Sequence, residues 1–112
     1  MSDPAPVFAC TVAGSDPGGG AGLQSDLKTF TALGVWGLSV VTAITAQNSH
    51  ECRGIWGVPP GAVSLQLGTL LADFEISAFK TGMLWDRGVI REIDDSLPDG
   101  VPLVVDPVMT AT

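Results

Sequence analysis

Basic side chains are scarce in this sequence: five Lys and Arg stand against twelve Asp and Glu, a net charge of −7. Nucleic-acid binding rests on clustered Lys and Arg that neutralise phosphates, so this balance argues against such a partner. It argues equally against an anionic membrane surface. Apolar runs approaching the roughly 20 residues of a membrane span are missing. The longest candidate, Leu38–Ala46, is interrupted by Ser39, Thr42 and Thr45. The opening residues, Met1-Ser2-Asp3-Pro4, lack the basic segment of a secretion signal. Cysteine is nearly absent too: Cys10 and Cys52 lie far apart, flanked by no metal or redox motif, and read as inert thiols rather than a disulfide. A cytoplasmic protein is expected. Charged residues make up only 15% of the chain, against about 25% in an average domain, so much of the surface expects cover.

What is present is patterned. The 112 residues suit one domain, 1–112, and cannot hold two independent cores. Fourteen glycines and eight prolines fall between apolar runs, which excludes general disorder. Val7–Ala13 reads as a buried strand and Leu23–Leu33 as a helix, with Leu23, Leu27, Phe30 and Leu33 on its inner face and Gly34 as its stop. Trp36–Gln47 reads as one further strand, apolar on both faces. Cys52–Val58 suggests a small hairpin arm or flap. Pro59-Pro60 can open a second helix with Val63, Leu67, Leu70, Leu71 and Phe74 along one face. Ile76–Lys80 is a third strand, Arg87–Leu97 a third helix carrying Val89, Ile90, Ile93 and Leu97, and Leu103–Val105 a fourth strand. Strands alternating with helices predict an α/β fold with a mostly parallel sheet.

Ligands of open α/β sheets bind outside the carboxyl ends of the strands. Those ends carry Gly14-Ser15-Asp16-Pro17-Gly18-Gly19-Gly20-Ala21-Gly22, Thr45-Ala46-Gln47-Asn48, Lys80-Thr81-Gly82-Met83 and Asp106-Pro107-Val108-Met109. Polar and glycine-rich chemistry at all of them predicts a pocket. The glycine loop matches neither the dinucleotide fingerprint, because Leu23 stands where a third Gly is required, nor a phosphate-binding P-loop, which needs Lys before the helix. It remains either a loop whose N–H groups approach a ligand or a plain βα connection.

Asp26 falls at the border of the first helix's inner face, expected in the first turn, where the dipole favours an anion. It serves either there or as an acceptor aimed into the pocket, since a carboxylate at that border needs a partner. Gln47, with donor and acceptor together, suits a heterocycle edge or a backbone-bonding turn. Lys80 reads equally well as a snorkelling surface cation or a site residue. Asp106 must face a cleft or be paired, and can help with Mg²⁺ or phosphate charge. His50 is assigned to a surface loop. Trp36, Trp56 and Trp85 read as packing residues, with Trp56 the exception because it lies in the possible flap.

The segment Ala13–Phe30, read as AGSDPGGGAGLQSDLKTF, resembles the opening signature of the hydroxymethylpyrimidine and phosphomethylpyrimidine kinases of thiamine biosynthesis. Thr42–Asn48, Lys80–Leu84 and Val104–Met109 follow in the matching order, so the resemblance runs from about Val7 to Met109. It implies a ribokinase-like fold, of which this chain is the amino-terminal half, since family members are more than twice as long. It also implies Mg²⁺ and ATP as cofactors and a small pyrimidine as substrate. Gly14, Asp26, Thr45, Gln47, Met83 and Val108 resemble the pyrimidine-binding positions, and Asp106 the carboxylate near the transferring phosphates. The catalytic base belongs to the family's carboxyl-terminal half, so the chain alone is expected not to complete phosphoryl transfer. A pyridoxal or pyridoxine kinase of the same superfamily is the second reading, which Ser15-Asp16-Pro17 and its three following glycines disfavour. A non-catalytic pyrimidine-binding or oligomerising module is the third. Self-association into a homo-oligomer is expected from the uncovered edge of a half-sheet.

Overall fold

The computed structural model describes residues 5–107. Its elements are β1 (Phe8–Ala13), α1 (Gly22–Ala32), β2 (Trp36–Val41), β3 (Ala43–Gln47), β4 (Cys52–Gly57), α2 (Pro60–Leu71), β5 (Ile76–Thr81), α3 (Arg87–Ser96) and β6 (Leu103–Val105). Four strands form a parallel sheet in the order β2-β1-β5-β6, and β3 and β4 form a separate antiparallel pair.

Alternation along the strands decides which helix lies on which face. Cys10 and Val12 of β1, Leu38 and Val40 of β2 and Phe79 of β5 pack with Val63 and Leu67 of α2 and Val89 and Ile93 of α3. This is the main core. The opposite face of the sheet is built from small residues, Ala9 and Thr11 of β1 and Gly37 and Ser39 of β2, and α1 lies on it. A Cβ added at Gly37 would stand 2.8 Å from Leu27 and 3.0 Å from Phe30, so the helix rests directly on the strand backbone.

Helix starts follow local chemistry. Pro60 occupies the first turn of α2, where a missing N–H costs nothing. Asp86 caps α3, accepting from the backbone N of Val89 at 2.9 Å.

Four expectations are corrected. Trp36–Gln47 is not one strand: it divides at Thr42 between the core sheet and the antiparallel pair. The buried Thr42 turns the chain by donating its N–H to Ala13 O at 3.0 Å and its hydroxyl to Met83 O. Leu33 is not on the inner face of α1; it sits at the cap beyond the helix and is 73% exposed. Ile90 likewise faces outward on α3, and Trp36 and Trp85 are more exposed than a packing role would make them. The arm proposed for Cys52–Val58 is β4, whose register partner β3 completes the flap.

Both cysteines are free thiols. Burial pushes the Cys10 thiol up to about 12, and the reactive species is the thiolate. Cys10 is therefore expected to resist iodoacetamide at pH 8 in the folded chain and to react only in denaturant. Peptide mass spectrometry checks this, and rapid native labelling of Cys10 would contradict it.

Candidate functional site

Chain order reverses about β1: β2 lies on one side of it, β5 and β6 on the other. Such a switch point opens a crevice beyond the carboxyl ends of the strands. A cavity of about 350 Å³ lies there, lined by Gly14 after β1, Asp26 of α1, Thr45 and Gln47 of β3, Lys80 and Met83 from β5 and its following loop, and Asp106 after β6. That size suits a small molecule. Ile55 and Cys52 of the flap close another side.

The glycine loop is organised around its own carboxylate. Asp16, 6% exposed, accepts from Gly18 N and Ala21 N, each at 2.9 Å. Its backbone N donates to Gln24 Oε1 at 2.7 Å, and Gln24 Nε2 donates to Ser15 Oγ at 2.8 Å. The amides of Asp16, Gly18, Gly19 and Ala21 are thus engaged internally. Gly22, with φ +61°, lets the chain enter α1 while Leu23 N donates to Gly14 O at 2.9 Å.

Asp26 lies just past the first turn of α1, which holds no acidic residue. It caps nothing. Instead Thr11 Oγ1 donates to its Oδ2 at 2.6 Å, and Lys80 Nζ donates to Oδ2 at 2.8 Å and Oδ1 at 3.0 Å. Asp106 Oδ2 stands 3.9 Å from the same ammonium. The Asp26 and Lys80 side chains are 17% and 22% exposed, the Asp106 side chain 62%. Lys80 is therefore no surface cation, and it is the one cation lining the cavity among the described residues.

The flap contributes a second polar edge. Thr45 Oγ1 donates to Ser15 O at 2.7 Å and lies 3.3 Å from Gln47 Oε1. This ties β3 to the glycine loop and holds Gln47 at the cavity wall. Met83 supplies apolar wall, its Cε occupying the space that a side chain at Gly14 would fill. Trp56 is exposed and folded over Gly54, while its neighbour Ile55 faces the cavity. His50 is an exposed turn residue, as read from the sequence.

Six expected positions, Gly14, Asp26, Thr45, Gln47, Met83 and Asp106, line this one cavity. Val108 lies outside the described residues. Thr11 and Asp16 were not assigned to the site from sequence, and Lys80 was left open between a surface cation and a site residue. A lysine inside an apolar strand was the available signal, because such a charge must find a carboxylate.

Among the described residues no group of three or more His, Cys, Asp or Glu side chains could hold a metal ion. Asp106 alone could contribute a carboxylate to an Mg²⁺ carried by phosphates, the usual way that ion is bound. In the glycine loop the amides of Gly18 and Ala21 serve Asp16 rather than an outside phosphate.

A family model described as phosphomethylpyrimidine kinase matches residues 16–112. The chain is 50% identical over 107 residues to the hydroxymethylpyrimidine/phosphomethylpyrimidine kinase of Rhizobium meliloti, covering 95% of this chain and 40% of that protein. Among solved structures it is similar to phosphomethylpyrimidine kinase from Clostridium difficile 630, with a TM-score of 0.87 and 42% identity over 94% of this chain and 46% of that one. It is also similar to the pyridoxal kinase of Staphylococcus aureus in complex with AMP-PCP and pyridoxal, with a TM-score of 0.78 and 35% identity over 95% of this chain and 40% of that one. The chain spans about 40% of the length of the hydroxymethylpyrimidine/phosphomethylpyrimidine kinases of Rhizobium meliloti and Streptomyces coelicolor, curated relatives that it matches.

Proposed function

Because the chain belongs to the phosphomethylpyrimidine kinase family, we propose that its cavity is the acceptor-substrate site of a kinase acting in thiamine biosynthesis. The substrate of this reading is 4-amino-5-hydroxymethyl-2-methylpyrimidine, then its monophosphate, with Mg-ATP as donor. The observation that carries it is Asp26, a carboxylate fixed by two donors at the rim of a small cavity whose other polar edge is Gln47. Asp26 and Gln47 take the amino, ring-nitrogen and hydroxymethyl groups; Gly14, Thr45 and Met83 shape the space around the ring. Asp106 stands on the phosphate side and can share an Mg²⁺ with the phosphates. ATP supplies the phosphoryl group when bound, and the reading assigns no catalytic base to these 112 residues.

No helix of the described residues is long and apolar enough to cross a membrane. The same reading makes the protein cytoplasmic, with neither nucleic acid nor membrane as partner. It also makes it a homo-oligomer, favoured by β6, whose Leu103, Val104 and Val105 are 45%, 64% and 61% exposed. Pyridoxal is the competing ligand, favoured by the likeness to the pyridoxal kinase of Staphylococcus aureus.

Calorimetric titration without nucleotide tests the reading. Saturable binding of the pyrimidine alcohol is expected, weakened about tenfold or more in Gln47→Ala, the scale of a lost polar contact. Tighter binding of pyridoxal would transfer the site to the competing ligand. No binding of either would overturn the proposal.

A further inference from the structure

Lys80 has no assigned part in the proposed reading, yet it makes the contacts that decide what Asp26 can do. Thr11 of β1 and Lys80 of β5 are register partners on adjacent strands. Both reach from one face of the sheet to the same helix carboxylate. An ionised carboxylate offers about four acceptor sites on its two oxygens. Oδ2 receives Thr11 Oγ1 and Lys80 Nζ, and Oδ1 receives Lys80 Nζ. One site remains, on Oδ1.

We propose that Lys80 is a positioning residue: with Thr11 it locks the Asp26 carboxylate so that a single open acceptor on Oδ1 faces the cavity and selects a ring bearing an N–H donor at that place. The inference rests on the acceptor-substrate reading above and names its specificity. A carboxylate held by one hydroxyl alone could rotate and present either oxygen. A heterocycle with an amino group fits the locked acceptor. The same ring with an oxo group there brings lone pair against lone pair, which a buried site rejects strongly. Lys80 is also poised for Asp106, 3.9 Å away, so the clamp sits between the ring edge and the phosphate side.

The test is binding of two ligands, the 4-amino-pyrimidine alcohol and its 4-oxo analogue, to the full chain and its variants. The unsubstituted chain is expected to prefer the amino ligand by about 100-fold, the scale of a charged hydrogen bond against its absence. In Lys80→Met that preference is expected to shrink to about threefold, with partial recovery in Lys80→Arg, which keeps a forked donor. A merely structural lysine would leave the ratio between the two ligands unchanged. Asp26→Asn should lower affinity for the amino ligand, and adding Lys80→Met to it should cost little more, because Lys80 acts through Asp26. If Lys80→Met does not fold, Thr11→Val carries the same expectation with a smaller change. A Lys80→Met or Thr11→Val variant that retains the full ratio, or losses that simply add, would overturn the inference while leaving the substrate reading standing. Failure of the unsubstituted chain to bind either ligand would overturn both.

Discussion

Gly22→Ala is expected to destabilise the chain by about 3 kcal/mol and to abolish ligand binding at the cavity. Two independent costs combine. The backbone at this position has φ +61°, a region that costs a residue with a side chain roughly 1–3 kcal/mol. A Cβ there would also stand 2.5 Å from Gly14 O and 3.2 Å from Asp16 N, both backbone atoms with little freedom to move. Relief requires breaking the 2.9 Å bond from Leu23 N to Gly14 O, worth about 1 kcal/mol. Total stabilities of small domains are about 5–15 kcal/mol, so this is a large share. Urea unfolding of both chains measures it; a midpoint equal to the unsubstituted chain would contradict the account.

Asp16→Ala is expected to cost about 2 kcal/mol through the other half of the same turn. Removing the carboxylate leaves Gly18 N and Ala21 N without the partner each now holds at 2.9 Å. An unsatisfied buried donor costs roughly 1–3 kcal/mol, and water can reach these exposed residues and soften the loss. Asp16→Asn should recover about half of the loss, because one amide oxygen still accepts while the amide nitrogen opposes the second N–H. Thermal melts of the three chains would show the order, and an Asn variant worse than Ala would contradict it. The double variant with Gly22→Ala should lose less than the sum of the two, since both disturb one loop.

The fold was legible where apolar runs and their stops were unambiguous. β1, β5, α3 and β6 fall within a residue or so of the runs that announced them, while α2 ends at Leu71 and leaves Phe74, read as part of its face, beyond the helix. The division at Thr42 was not legible, because no Gly or Pro marks it. It is created by bonds to Ala13 and Met83, which are remote in sequence. Leu33 fits the helical period, but α1 has ended before its side chain can turn inward.

The site was legible as a set of strand ends, and six of those positions do meet. Its internal wiring was not. Asp26 could be read either as a helix-start anion or as an acceptor aimed into the pocket, because its partners, Thr11 and Lys80, come from strands separated by most of the chain. Asp16 stood in plain view in the glycine loop. Its role emerges only once Gly18 and Ala21 fold back onto it.

The strand order has a consequence for how the chain acquires its structure. β1 pairs with β2 soon after it in sequence, but its other edge is closed only by β5, where Phe8 meets Ile76 and Thr11 meets Lys80. Parallel pairing across so long an intervening stretch must bring distant segments together before any contact rewards it, which places such domains toward the slower, millisecond-to-second range of folding. During synthesis the strand made first waits, one edge bare, until α2 and β5 have been made. The clamp of Thr11 and Lys80 on Asp26 spans that last seam, so the ligand site can form only when the sheet has closed.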